Sequence, residues 1–208
     1  MSGVTRKGFS KALKGLYDWL DGTNADLKGA SGAGAPPAVT GLTVQEQGVG
    51  AIRKTVFTFV NVACALTDVA GVVAYVGKQI YDWPAGYILF HGAVMDLALT
   101  KSSAGVNADW DGDVGLGTVT ASNNSTLAST EQDLVPTTAT PQAVAGVTTA
   151  DGQSTSTEAL KILDGHTAAK DIFLNLLVDD ADQDVTTTPC NLIVNGTIEV
   201  TWSNLGDN

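Results

Sequence analysis

Two periodicities divide the chain. Over residues 4–20, Phe9, Leu13, Leu16 and Leu20 recur at helical intervals with Trp19 beside them, which places all five on one face of a helix. Lys7, Lys11 and Lys14 occupy another sector, so the spacing predicts an amphipathic helix of about four turns. Gly8 and Gly15 each weaken it by roughly 1 kcal/mol, and such a helix needs a partner surface to be stable. The run KGASGAGAPPAVT at residues 28–40 cannot supply a packed core and reads as a flexible linker. Residues 1–41 are therefore expected to form an arm, a helix on a tether, in front of a body at residues 42–208. The rival expectation is a helix that closes the body's own sheet.

From residue 42 onward the period becomes two, in short β-rich runs separated by turn residues. Candidate strands are residues 42–47, 52–66, 70–76, 79–83, 87–100, 114–121, 143–148, 159–163, 170–178 and 192–203. In the second run strict alternation sorts Val56, Thr58, Val60, Val62, Cys64 and Leu66 onto one face, and Phe57, Phe59, Ala63 and Ala65 onto the other. Both faces are largely apolar, as in a central strand covered on both sides or one that turns a face to another subunit. Asn195-Gly196 between β-rich runs predicts a hairpin turn. Residues 122–156, rich in Ser, Thr, Asn and Pro, read as long surface loops around one or two short strands. The expected fold is all-β, a two-sheet β-sandwich with a jelly roll as first choice.

Composition narrows the function. Only 16% of residues are charged, which favours sheets and turns rich in Thr, Ala, Gly and Val. Eleven basic against 22 acidic residues leave a net charge of −11, which argues against a nucleic-acid partner. Residues 1–28 hold five basic residues (Arg6, Lys7, Lys11, Lys14, Lys28) and three acidic ones (Asp18, Asp21, Asp26), so the arm is +2 and the rest −13. A weakly basic arm thus precedes an acidic body. Cys64 and Cys190 are too few for a disulfide framework and are expected to be reduced core residues. The opening segment lacks an apolar signal core, and no stretch reads as a membrane span, so synthesis in the cytosol is expected.

Chemistry is sparse. Asn107, Asp109 and Asp111 alternate ahead of Gly112, as in the first half of a calcium loop, but Thr118 stands where the closing acid belongs. A turn between strands is the better reading. Asp179, Asp180, Asp182 and Asp184 form a second acidic run, read as a solvated loop because its like charges repel. No metal or cofactor is expected. The two histidines, His91 and His166, sit in no catalytic motif, and no phosphate-cradling loop, CxxC pair or HExxH occurs, so no enzymatic activity is expected. Trp83 and Trp110 lie in turn-like text and would stack on sugars if exposed, but core and edge packing is the better reading.

The run YILFHGAVMDLALTKSSAGVNADWDGDVGLGTVTAS at residues 87–122, with LVDDADQDVTTTPCNLIVNGTI at 177–198, resembles a family of virion structural proteins of tailed bacteriophages. The similarity spans roughly residues 52–205. It implies a phage particle protein, assembled in the host cytoplasm. Small β-rich proteins of that kind act as capsid decoration or cement proteins, present in many copies and bound to the major capsid protein. On that reading Phe9, Leu13, Leu16, Trp19 and Leu20 are the capsid anchor. A host-surface or carbohydrate-binding adhesin module of a head fibre or tail is the alternative.

Overall fold

The computed structural model describes residues 34, 37–48, 52–68, 73–166, 168 and 170–206. The helix expected at 4–20, its five anchor residues and most of the linker lie outside the described residues.

Ten strands run through the described residues: β1 (Leu42–Gln47), β2 (Ile52–Ala65), β3 (Ala74–Asp82), β4 (Gly86–Lys101) and β5 (Gly112–Gly117), then β6 (Val135–Ala139), β7 (Val147–Gln153), β8 (Lys161–Gly165), β9 (Asp171–Val178) and β10 (Asn191–Gly206). All pairings are antiparallel. One sheet has the order β1-β2-β10-β4-β7, with β8 continuing the β7 side of β4; the other has the order β3-β9-β5-β6. The orders β2-β10-β4-β7 and β3-β9-β5-β6 are the two four-stranded sheets of a jelly roll, to which β1 and β8 are additions.

The inner faces of the sheets close one core. Phe57, Phe59, Phe90, Met95, Leu97, Leu99, Ile198, Val200 and Trp202 from the larger sheet meet Ile80, Tyr81, Leu116, Ile172, Leu174 and Leu176 from the smaller. At one end the rings of Phe57, Tyr81, Trp202, Trp83 and Phe90 form a chain of edge-on contacts, with centroids 5.6 to 6.4 Å apart. Trp202 donates its indole N–H to Thr55 Oγ1 at 2.8 Å, which satisfies both buried groups. Cys64 and Cys190 are free and buried, and burial pushes the Cys64 thiol up to about 11 despite the nearby charge of Lys78. That thiol is a packing group.

Three expectations need correction. The faces of β2 exchange part-way along, because β2 places two residues, Val60 and Asn61, opposite the single Asn195 of β10. Phe57 and Phe59 therefore share the core face with Val62 and Cys64, while Val60 points out and is exposed. Asn195-Gly196 is not a hairpin turn but lies inside β10 beside this bulge. Asn195 Oδ1 accepts the Asn61 backbone N–H at 2.9 Å, and Gly196 has φ 121°, where a β-carbon would run into the Asp96 carbonyl. The runs expected at 70–76 and 79–83 are one strand, β3, that continues through a register shift between Gln79 and Tyr81.

Residues 118–134, where the expected strand 114–121 was to give way to surface loop from residue 122, instead leave β5 at Gly117 and fold over the outer face of the smaller sheet. Leu127 and Ala121 pack there with Val73 and Leu177. Asn175, fully buried on β9, fastens the flap: its Oδ1 accepts from Ala121 N at 2.8 Å, and its Nδ2 donates to the carbonyls of Val119 at 2.9 Å and Glu131 at 2.6 Å. Asp133 accepts from both the backbone and the hydroxyl of Thr118 and from Lys161 Nζ. Replacing Asn175 by Leu would leave three backbone groups without this partner, and the two that are buried, Ala121 N and the Glu131 carbonyl, would cost roughly 1–3 kcal/mol each. Asn175→Leu is therefore expected to lose about 2 kcal/mol or more, read as a lower urea midpoint at unchanged slope.

Candidate functional site

The two acidic runs, far apart in sequence, form one junction. They sit in the β4–β5 and β9–β10 connections, and because β5 and β9 pair from Gly112↔Val178 onward, the connections leave the smaller sheet side by side. Val106 bridges to Gln183. Asn107 N donates to the Asp182 carbonyl at 2.8 Å, Asp111 N to Asp182 Oδ2 at 3.1 Å, and Asp179 N to the Asp111 carbonyl at 3.3 Å.

This brings Asp111, Asp113, Asp179 and Asp182 together. Burial first, then the charges of Asp111, Asp113 and Asp182, push the Asp179 carboxyl above the usual carboxylate range, and a hydrogen bond with the Asp111 carboxyl adds to this. Burial and then the Asp111 charge raise Asp113 likewise. The crowding is relieved by proton uptake. Among the described residues no group of three or more His, Cys, Asp or Glu side chains is placed to hold a metal ion. Thr118, at the closing position of the calcium-like spacing, is instead bonded to Asp133. Asp109 is exposed, and Asp180 and Asp184 accept only local hydrogen bonds, from Gln183 and Thr186.

A second polar constellation lies on the outer face of the larger sheet. Gly92 pairs with Thr201 but Phe90 with Trp202, so His91 is an extra residue on β4. Its Nε2 lies 2.7 Å from Ser203 Oγ. Beside the pair is an open depression of about 430 Å³ lined by His91, Val94, Gln153, Ser154, Glu199 and Thr201.

A serine touching a histidine at a cleft is the beginning of a nucleophile–base arrangement. The surroundings do not develop it. Ser203 is only 4% exposed. Glu199 is held by Lys54 Nζ at 2.5 Å. The Ser154 hydroxyl is consumed between Ala93 N and the Leu134 carbonyl. His166 follows β8 and stacks on Tyr87, with centroids 6.2 Å apart.

Neither Trp83 nor Trp110 presents an exposed ring face to a sugar. Trp83 is 1% exposed within the aromatic chain, and Trp110, fully buried, donates to the Gly146 carbonyl at 3.3 Å. Spacing within each acidic run was uninformative about their meeting, which depends on the β5–β9 pairing. Asn175, by contrast, left a signal: it is the one polar residue inside the apolar run IFLNLLV.

No family model matches the chain, and comparison with curated proteins and with solved structures returns no match. No helix among the described residues is long and apolar enough to cross a membrane.

Two tests follow from this geometry. Asp113 and Asp179 have folded-state values above the unfolded value of 3.8, so between the two the folded state binds more protons and loses stability as pH rises. Their contribution is fully present below the unfolded value and is lost as pH rises through the raised folded-state values. Asp179→Asn is expected to raise the urea midpoint at neutral pH and to flatten its rise on acidification. A divalent cation held by these carboxylates would reverse the sign, since removing a ligand would then lower the midpoint. At the other site, a fluorophosphonate serine probe is expected to leave the chain unlabelled; labelling abolished by Ser203→Ala or His91→Ala would establish a nucleophile.

Proposed function

We propose that the chain is a structural protein of a tailed-phage virion, a capsid decoration or cement protein that binds assembled major capsid protein and bridges neighbouring subunits. The observation that carries this is the resemblance of residues 87–122 and 177–198 to virion structural proteins. Those stretches contain β4 from Tyr87 onward, β5 and the whole β9–β10 connection, including both halves of the acidic junction.

The fold is compatible with that role, since jelly rolls recur in viral capsid proteins, although they also serve lectins and other folds of unrelated function. Most polar groups that might have formed a reaction site are instead spent on holding connections together: Asp182, Asp133, Ser154 and Asn175 each bind backbone of another segment. A ligand that binds only the assembled shell stabilises it by mass action, and many copies add avidity. The anchor is the apolar side of the arm, Phe9, Leu13, Leu16, Trp19 and Leu20.

Each large side chain seated in a capsid groove contributes on the order of 1.5 to 3 kcal/mol. Leu13→Asp is expected to raise the dissociation constant for purified heads at least about tenfold. A Lys11→Ala, Lys14→Ala double variant should change it less, because exposed ion pairs contribute under about 1 kcal/mol and weaken with salt. Co-sedimentation with heads at moderate salt makes the comparison. Equal binding by all three proteins would remove the arm as anchor.

A further inference from the structure

The outer faces of the two sheets differ. That of the smaller sheet is closed by the flap at residues 118–134, whereas that of the larger sheet carries exposed aliphatic side chains. Cross-strand partners place Ile162, Leu89, Ser203 and Ile52 in one row across β8, β4, β10 and β2. Ile162 is 60% and Ile52 57% exposed; Leu160 and Leu205 at its margins are 70% and 48% exposed, and Val94 beyond it is 54% exposed. Ile162 and Ile52 stand exposed at the two ends of the row, with half-buried Leu89 and buried Ser203 between them, so the face offers spaced aliphatic contacts to a segment laid across the strands.

The way the tether reaches the body indicates the occupant. Gly34 lies against the Tyr81 ring and the Asp82 carbonyl so closely that a β-carbon would overlap both. Tyr81 in turn donates its hydroxyl to Glu46 on β1, and Glu46 is paired to Arg53 next to Ile52. The tether thus meets the body at the end of the sandwich where the aliphatic row begins. Between Gly34 and Leu20 the chain can span up to about 45 Å, while β8 to β1 is four strand spacings, about 20 Å. A helix over residues 4–20 would be about 25 Å long, enough to cross that sheet.

Charge agrees with this. Asp96 and Asp151, both exposed, face each other across β4 and β7, and exposed Asp164 flanks the row on β8. The arm brings Arg6, Lys7, Lys11 and Lys14. Acidic residues beside an aliphatic row match a basic amphipathic segment.

We infer that residues 4–20 dock on the outer face of the larger sheet of their own chain, with the Phe9, Leu13, Leu16, Trp19 and Leu20 side on the row Ile162–Leu89–Ile52. This is independent of what the protein fastens to. Outside partners would compete with the body for the same side of the arm.

Fluorine NMR of the full chain labelled with fluorotryptophan tests it, because Trp83, Trp110 and Trp202 are buried and report that the body is folded. The Trp19 signal is identified by its loss in Trp19→Phe. With the arm docked, it lies away from the position of the free amino acid and resists broadening by a soluble paramagnetic reagent. Ile162→Asp, and separately Ile52→Asp, should return it to the free position with a several-fold rise in broadening, while the other three signals stay. A Trp19 signal already free in the unaltered chain, or one unmoved by both substitutions, overturns the inference. A shift that grows with protein concentration alongside a sedimenting dimer overturns it too, since the occupant would then be a second copy.

Discussion

Because side chains alternate strictly along a strand, one extra residue in a ladder exchanges its buried and exposed faces. The long strands β2, β4 and β10 therefore hold a single core only through the placement of their bulges. On β4 the inward residues are Ile88 and Phe90 before His91 and Gly92, and Ala93, Met95, Leu97 and Leu99 after them. On β2 the exchange falls at Val60 and Asn61, where Asn61 adopts φ 54° and is held by the Asn195 side chain of the neighbouring strand. Without the first bulge, either the Ile88–Phe90 end or the Ala93–Leu99 end of β4 would face away from the aromatic chain formed with Trp83 and Trp202. The same bulge presents His91 outward beside Ser203, so the His91–Ser203 contact is a by-product of how the core is kept in phase.

This explains which parts of the fold were legible in the sequence. Strands β1, β2, β4, β9 and β10 are dense in β-branched and aromatic residues, and their positions could be read within a few residues. Their facing could not be read past the bulges, because alternation carries no mark of an inserted residue except a residue suited to left-handed backbone, and Asn61 and Gly196 are common in turns as well. Asn195-Gly196 illustrates the ambiguity: the pair that closes hairpins also fits the middle of a sixteen-residue strand when the neighbouring strand carries the bulge. β6, with the sequence VPTTA, was hidden because Pro136 and three polar or small residues give it almost no apolar signal, and it survives as an edge strand.

The polar side of the structure follows from the same long-range pairings. Asp111 and Asp182 are neighbours only because β5 and β9 are, so neither acidic run declared the junction by itself. Once joined, the carboxylates act on the fold in opposing ways. Asp182 ties two connections together through Asp111 N, while crowding raises Asp179 and Asp113 and works against the folded state as pH rises. A junction that is both cross-linked and self-repelling is sensitive to charge. The buried Asn175 plays the simpler part, with one side chain satisfying three backbone groups of the flap.

The arm joins the two proposals, because the same apolar side serves both. While it rests on its own sheet, the apparent affinity for an external groove falls by the fraction of time the arm is free. The outer face of the larger sheet offers aliphatic groups spaced a strand apart rather than a deep groove, and Ser203 interrupts the row, so the contact is shallower than a capsid groove able to enclose Trp19 and Leu13. An arm held weakly at home and strongly elsewhere keeps its apolar side from self-association in the unbound protein, yet is released when a better surface is presented. On the proposed particle, multiple copies would recover through avidity what each copy loses by internal docking.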